Sequence, residues 1–222
     1  MIRTITIRLL AVCIACSLGL FAPARAEAAS EARRTLEDTV NRVLKELHRP
    51  DGADQAKRKE IQANIEHIVL TLFSFEELSM RTVGPNWKNF TPDQRTRFID
   101  AFANLLRERY TGALEDYNST GSESVTYLRE SPVGSSGDRV QIDTTVMVNN
   151  KPVPVNYRMQ RGSGGWVVYD ISIEGVGMIQ NYRSQFQSVL QRGSVEELIA
   201  LVRARADATR AENENRRAQG RS

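Results

Sequence analysis

The stretch VPVNYRMQRGSGGWVVYDISI, residues 153–173, decides the fold of this 222-residue chain. Its apolar side chains recur at every second position on both sides of Arg161-Gly162-Ser163-Gly164-Gly165, a segment rich in turn residues. Alternation with a period of two is typical of strands that bury one face, and a short glycine-rich connection joins antiparallel neighbours. The stretch therefore predicts a β-hairpin.

Two further strands precede this hairpin, so the sequence predicts a four-stranded antiparallel sheet. Val125 and Tyr127 alternate in the first strand, and a longer alternation fills residues 140–148. The inward positions of the last three strands are Val140, Ile142, Thr144, Val146 and Val148, then Val153, Val155, Tyr157 and Met159, then Val167, Tyr169, Ile171 and Ile173. One face is expected to be apolar, and it needs a cover.

Segments of helical periodicity on both sides of the sheet supply that cover. Predicted helices begin at Ser30 as an N-cap, at about Asp54 and at the capping box Thr91-Pro92-Asp93-Gln94, and two more cover 176–190 and 195–202. The predicted fold class is α+β: an N-terminal helical layer, a four-stranded antiparallel curved sheet, and C-terminal helices that close one side.

The two ends of the chain are predicted to lie outside this domain. Residues 1–26 have the pattern of a signal peptide, with a basic start, about 13 apolar residues where a membrane span needs about 20, and Ala24-Arg25-Ala26 at the end. We expect export with cleavage after Ala26. Residues 27–202 form the predicted domain, and the charged tail 203–222 is expected to be disordered.

Charge gives little support to a nucleic-acid function. The formal charge of +3 depends on Arg3, Arg8 and Arg25, and the chain from residue 27 onward holds 27 basic and 27 acidic residues. Aromatic residues fall on predicted core positions, and the basic residues are interspersed with acids. We therefore expect no nucleic-acid partner.

Signatures of catalysis and of metal binding are absent from the sequence. It holds no GxSxG, phosphate-loop, dinucleotide or HExxH motif, and His48 and His67 are its two histidines. Cys13 and Cys16 both lie in the predicted signal peptide. The sequence predicts a protein that is not an enzyme, with no catalytic residue, no metal site and no cofactor.

The unusual feature is how apolar the inward surfaces are. The sheet is followed at once by Gly175-Val176-Gly177-Met178-Ile179, an apolar segment interrupted by glycines. These surfaces fit a closed core, and they equally fit a curved sheet whose helices leave an apolar cavity. Periodicity alone does not separate the two.

Several blocks of the sequence resemble a known family. They are Gly84-Pro85-Asn86-Trp87, the capping box with Phe98, Phe102 and Tyr110, then 155–159, 165–170, Glu174-Gly175-Val176 and Asn181-Tyr182-Arg183-Ser184-Gln185-Phe186. Together they resemble the MlaC/toluene-tolerance family of periplasmic phospholipid-binding proteins, which are auxiliary components of an ABC transporter. The resemblance covers roughly residues 35–202, although Gly177 stands where this family commonly has Ser. A hopanoid-associated branch of the family is also similar.

The resemblance implies a periplasmic carrier with an apolar pocket between sheet and helices. Its cargo would be phospholipid, moved between the outer membrane and an inner-membrane ABC transporter in order to maintain outer-membrane lipid asymmetry. The implied protein partners are that transporter with its MCE-domain protein and an outer-membrane lipoprotein–porin complex. The carrier is expected to be a monomer. The alternatives are the hopanoid branch, an envelope adaptor with a fully packed interior, and an envelope hydrolase.

The predicted pocket lining follows the inward strand positions, the glycine-containing segment and the long helix. These residues are Leu106, Tyr110, Val146, Val155, Tyr157, Met159, Val167, Tyr169, Ile171, Ile173, Val176, Met178 and Ile179. Arg158 and Arg183 are singled out as polar residues, and structural ion pairs are favoured for both over a phosphate contact.

Overall fold

The computed structural model describes residues 22–52, 54–115, 123–148 and 150–219. The helices before the sheet are α1 (Ala22–Leu47), α2 (Gln55–Leu72), α3 (Phe75–Val83) and, after a 3₁₀ segment over Gly84–Asn89, α4 (Pro92–Glu115). The strands are β1 (Ser124–Pro132), β2 (Arg139–Val148), β3 (Lys151–Gly162), β4 (Gly165–Ile173) and β5 (Val176–Gly177), followed by α5 (Met178–Arg192) and α6 (Val195–Gln219). The α+β prediction is confirmed.

The sheet is an antiparallel meander in the order β1-β2-β3-β4-β5, and it has one strand more than the predicted four. Glu174 and Gly175 both have positive φ, 51° and 81°, the backbone conformation that tight turns between antiparallel strands require. The chain therefore turns back at once, and Val176-Gly177 pairs with β4 before α5 begins. The predicted helix over 176–190 accordingly begins two residues later, at Met178.

β1 forms one edge of this sheet, and its ladder with β2 is irregular. The register shifts between Tyr127 and Arg129, which leaves Leu128 out of the pairing and 62% exposed. A shift of this kind is a β-bulge, which twists the strand locally.

The N-termini of α1, α2 and α4 can be compared with the predicted capping residues. The Thr91–Gln94 capping box is confirmed, because Thr91 N donates to Gln94 Oε1 (2.9 Å) and Gln94 N donates to Thr91 Oγ1 (3.2 Å). Asp54 caps α2 by accepting from the backbone N–H groups of Ala56 and Lys57. The prediction of Ser30 as an N-cap is wrong, because α1 begins at Ala22. The predicted signal peptide lies mostly outside the described residues, and cleavage after Ala26 stays a prediction.

Two groups of buried side chains hold the layers together. The first, the sheet cluster, joins α1 and α2 to the sheet through Ala32, Leu36, Leu72, Val140, Ile142, Met159, Trp166 and Val168. The second, the helical cluster, joins α3–α6 and includes Tyr169 of β4. Its centre is aromatic: Phe98, Phe102, Tyr182 and Phe186 contact one another with ring centroids 5.0–5.9 Å apart.

The prediction of a disordered tail over 203–222 is wrong for residues 203–219, which continue α6. α6 packs along α4, with Val202 and Ala206 buried in the helical cluster. Asn213 is 2% exposed and donates through Nδ2 to the backbone oxygen of Glu108 (2.8 Å), and Arg210 pairs with the Glu108 carboxylate. The few buried contacts, spaced along one face, hold a helix whose composition alone indicates disorder.

Candidate functional site

Strand register arranges the apolar side chains of the sheet in rows, because residues directly opposite each other in an antiparallel pair share a face. We call the face that carries Val140 and Met159 the inner face. Its four rows are Val140–Met159–Val168, then Ile142–Tyr157–Ile171, then Tyr127–Thr144–Val155–Ile173–Val176, then Val125–Val146–Val153.

The inner face is best covered in its first row, and it is least covered at the β4–β5 edge of the third row and in the fourth row. The first row, the closed end, is covered by the sheet cluster, and Met159 and Val168 are 0% exposed. The third and fourth rows form the open end. In the third row Thr144 (1% exposed) and Val155 (6%) are buried, whereas Ile173 (38%) and Val176 (66%) are exposed at the β4–β5 edge. In the fourth row Val125, Val146 and Val153 are half-buried. The open end is an apolar surface that the described helices cover incompletely.

Helices α2 and α4 also carry apolar residues that differ in exposure. On α2 a stripe of Ile61, Ile65 and Ile68 is buried outside both clusters, and this helix contacts α1, α4 and β4. On α4, Leu106 is buried in the helical cluster, whereas Tyr110, one turn later, is 41% exposed. The periodicity of this stripe was visible in the sequence and predicted a helix there.

The structure divides the predicted lining residues into groups. Seven lie on the inner face: Val146, Val155, Tyr157, Met159, Ile171, Ile173 and Val176. Four belong to the helical cluster: Leu106, Tyr169, Met178 and Ile179. Tyr110, Ile173 and Val176 are three of the four exposed large apolar residues of the described part of the chain. The prediction therefore mixed packed core with exposed apolar surface.

Val167 is a correction, because the structure places it on the face opposite to the inner one. Arg158 pairs with Asp170 and Met159 pairs with Val168, so Tyr169 is an extra residue in β4. This bulge breaks the alternation that put Val167 and Ile171 on one face. Val167 instead faces Gln160, and Trp166 and Val168 point into the sheet cluster.

Burial also shapes the electrostatics of the site. Burial raises the pKa of Tyr157 to about 12, and it raises the pKa of Tyr127 as well. Asp170 is 7% exposed, and burial raises the pKa of its carboxyl, although Oδ1 accepts a hydrogen bond from the backbone N–H of Ile179 (3.1 Å) at the start of α5. These tyrosines are neutral at physiological pH, which suits an apolar ligand.

The two arginines singled out from the sequence have structural partners. Arg158 forms an ion pair with Asp170 (3.7 Å) and donates to Gln141. Arg183 donates to the backbone oxygen of Arg81 through Nε (3.0 Å) and Nη2 (2.6 Å), which links α5 to α3. The predicted ion pair is confirmed for Arg158, whereas the partner of Arg183 is a backbone oxygen and not a carboxylate. Both side chains are exposed.

Metal sites and membrane-spanning helices have little basis in the described residues. Within 22–52, 54–115, 123–148 and 150–219, no three acidic, histidine or cysteine side chains come together as a metal site would require. None of the helices in that part combines the length and hydropathy needed to cross a membrane. A cleft of about 310 Å³ between α1 and α2 is lined by polar and charged residues with Ile68. It does not match the apolar open end.

Comparison with known proteins agrees with this architecture. The chain is 22% identical over 162 residues to the intermembrane phospholipid transport system binding protein MlaC of Haemophilus influenzae, covering 69% of this chain and 74% of that protein. It is 31% identical over 104 residues to the toluene tolerance protein Ttg2D of Pseudomonas putida, covering 46% of each.

A solved structure shares the fold. It is a phospholipid-binding protein from Ralstonia solanacearum, determined in complex with a phospholipid, and it superposes with a TM-score of 0.67 at 27% identity. The match covers 81% of this chain and 98% of that one. The family model of the MlaC protein matches residues 37–204, which include every helix and strand from α2 to α5 and all of the predicted lining residues. This chain belongs to the MlaC family.

Proposed function

We propose that this chain is a phospholipid transport binding protein that holds the acyl chains of its cargo against the open end of the inner face. The observation that carries the proposal is the fall in burial along that face, from Met159 at 0% to Val176 at 66% exposed. An apolar surface left partly uncovered beside a packed core is where a ligand binds in many proteins. The name of the Haemophilus influenzae relative and the phospholipid-bound structural neighbour support this cargo.

The free energy of transferring acyl chains out of water explains why a lipid carrier needs such an apolar surface. Two acyl chains with about thirty methylene groups gain ~24 kcal/mol on leaving water, at ~0.8 kcal/mol per group. A carrier that takes lipid from a membrane must replace nearly all of this, and only extended apolar contact does so. A headgroup left in water avoids the desolvation cost of a buried phosphate.

The partners and the compartment belong to the same proposal. The carrier works in the periplasm after export, and exchanges phospholipid between an outer-membrane lipoprotein–porin complex and an inner-membrane ABC transporter with its MCE-domain protein. Exchange of lipid between sites of similar affinity is passive. The energy that keeps the outer-membrane lipids asymmetric therefore comes from the ABC transporter. The cargo is the one non-protein group required, and the carrier catalyses no reaction.

Native mass spectrometry of the purified protein, followed by organic extraction and lipid identification, tests the proposal. We expect a stoichiometric phospholipid adduct, either as isolated or after incubation with liposomes. A hopanoid in the extract would redirect the proposal to the hopanoid-associated branch. A bare protein mass that persists after incubation with liposomes would overturn lipid carriage for this chain.

A matched pair of variants in β4 locates the cargo. Ile173→Glu puts a carboxylate at the open end, where 38% exposure allows the protein to fold, and it should remove the adduct. Val167→Glu makes the same kind of change on the opposite face of the same strand and should retain the adduct. Loss of lipid from both variants, or from neither, would contradict the assignment of the open end.

A further inference from the structure

The polar cleft between α1 and α2 gathers basic side chains from both helices. Its volume is about 310 Å³, and its lining residues are Arg42, Lys45 and Glu46 on α1, and Asn64, His67 and Ile68 on α2. Arg42 and Lys45 are three positions apart on one helix, as are Asn64 and His67 on the other, so each pair shares a face of its helix. The cleft is therefore built from one turn of each helix.

The one acid that lines the cleft is already paired. Glu46 Oε2 contacts Arg49 Nη1 (3.3 Å) and accepts a hydrogen bond from Asn64 Nδ2 (3.1 Å). Asp38, one turn before Arg42 on α1, is exposed and forms no ion pair with it. These carboxylates leave the positive charge of the cleft uncompensated.

The basic groups of the cleft have no partners. Within the described residues, Arg42, Lys45 and His67 form no hydrogen bond and no ion pair. Glu66, the residue before His67, pairs instead with Arg107 of α4 (2.7 Å). Like charges one turn apart on a helix repel each other, and an anion bound between them would relieve the repulsion.

The donors of the cleft suit a phosphate better than a carboxylate. A guanidinium presents paired N–H donors in one plane, an ammonium is a compact charge, and an imidazole N–H adds a donor from the second helix. A carboxylate has two oxygens, and one arginine can satisfy both. A terminal phosphate has three strong acceptor oxygens and a larger charge, so it can accept hydrogen bonds from both walls of the cleft at once.

The cleft lies toward the open end of the sheet. His48, directly after α1, contacts Glu123 (2.9 Å), and Val125 of the fourth row follows two residues later. Lys45 is three residues before His48. A ligand in the cleft would therefore lie on the helical layer near the apolar surface, without being part of it.

We propose that this cleft is a second binding site, which takes a terminal phosphate group. Arg42 and Lys45 bind the phosphate oxygens from α1, and His67 donates to them from α2. The group is either a soluble phosphate compound or the headgroup of a lipid that ends in a phosphomonoester. The site is separate from the open end, and it stands whether or not the chain carries lipid.

The two histidines of the chain give the test an internal control, because His67 lines the cleft whereas His48 contacts Glu123 outside it. Sodium phosphate is titrated into the purified protein at constant pH and ionic strength, and the imidazole C–H resonances are followed by NMR. The His67 signals should shift and reach saturation, and the His48 signals should stay nearly constant. A shift without saturation, or equal shifts of both histidines, would overturn the site.

Two double variants with the same change in charge locate the phosphate. Arg42→Gln with Lys45→Gln should weaken phosphate binding by about tenfold or more, as expected for the loss of charged hydrogen bonds. Arg34→Gln with Lys59→Gln removes two exposed charges from the same helices outside the cleft and should keep the wild-type affinity. Equal weakening by both would show general charge attraction and would refute the proposal.

Vesicle sedimentation distinguishes the two sources of phosphate. Phosphatidic acid ends in a terminal phosphate, whereas phosphatidylglycerol carries an internal phosphodiester, and both make a phosphatidylcholine vesicle anionic. Sedimentation with phosphatidic acid vesicles alone would identify a lipid headgroup, and sedimentation with neither, beside a saturable His67 shift, would identify a soluble compound. Equal sedimentation with both would contradict selection of a terminal phosphate. Lipid carriage is judged separately, by the phospholipid adduct, which Arg42→Gln with Lys45→Gln should retain.

Discussion

The helical cluster and the open end of the inner face are both apolar, yet they are built differently. In the helical cluster, Phe98, Phe102 and Phe186 are 0% exposed and meet mostly edge to face. At the open end the residues are mostly branched aliphatic side chains in parallel rows, and Val176 is 66% exposed. Interlocking rings fill space completely, whereas aliphatic rows present a continuous apolar surface that an alkyl chain can follow.

The difference indicates that the helical cluster serves mainly stability, and that the open end serves mainly the proposed binding of lipid. A fully packed region makes the largest contribution to the free energy of unfolding, and a partly uncovered one contributes less, because its residues stay close to water in the folded state. Ligand-binding sites commonly lower the free energy of unfolding of a protein in this way. Four substitutions in delipidated protein, ordered from the largest expected effect to the smallest, test whether stability and binding are separated in this way.

Phe102→Ala should have the largest effect on stability. The ring contacts Tyr182 at 5.0 Å and Phe186 at 5.4 Å between centroids, so its removal leaves a cavity in the helical cluster. We expect a loss of about 3–5 kcal/mol in the free energy of unfolding, measured by urea denaturation. A loss below about 1 kcal/mol would mean that the helical cluster is no more rigid than the open end.

Asn213→Ala tests the C-terminal half of α6. The change removes the hydrogen bond from Nδ2 to the Glu108 backbone oxygen and should lower the free energy of unfolding by about 1–2 kcal/mol. Hydrogen exchange should show faster opening of α6 after residue 206, with α5 unchanged. If neither measurement changes, the packing of this segment on α4 does not contribute to the fold.

Ile173→Ser should separate binding from stability. The side chain is 38% exposed, so the loss in the free energy of unfolding should stay below about 1 kcal/mol. Phospholipid retention, measured by native mass spectrometry, should nevertheless fall clearly. A variant that loses stability and retains lipid would reverse the roles assigned to the two regions.

Asp170→Asn should have a small effect at neutral pH and a clear pH dependence. Asn keeps the hydrogen bond from the Ile179 backbone N–H, because its side-chain oxygen is also an acceptor. Burial raises the pKa of Asp170 above the ordinary 3.8, so the folded state binds a proton more readily than the unfolded chain. The Asp170 contribution to stability is therefore present at low pH and decreases as the pH rises through the raised pKa.

The measurement is urea denaturation of both proteins between about pH 4 and pH 7. The stability of the wild type relative to Asp170→Asn should decrease over that range. Arg158 and Arg81 are the cations that act on this carboxyl, and both are common to the two proteins. A difference that is constant with pH, or that increases, would show that burial does not raise the pKa of this carboxyl.

Much of the fold was predictable because it follows simple periodicities. The hairpin of β3 and β4, the antiparallel order and the capping box at Thr91 all result from local patterns that the structure retains. What failed depends on single residues and on tertiary contacts. The bulge at Tyr169 moves Val167 to the other face, and a period of two gives no sign of an inserted residue.

The tail and the site show the same limit in two ways. Asn213 and Arg210 hold α6 through one neighbouring residue, Glu108, and composition does not reveal such a contact. In the site, the inner-face rows were predicted from alternation, but their exposure depends on tertiary contacts with the helices.

The irregular edge of the sheet has a consequence for behaviour at high concentration. A regular edge strand of nine residues would offer its free backbone groups to a second molecule, and copies could add to one another in open-ended stacks. In β1 the bulge at Leu128 and the terminal Pro132 interrupt that template on both sides of Arg129. For the proposed carrier, in which one sheet face stays uncovered for cargo, this interruption disfavours polymerisation through the β1 edge.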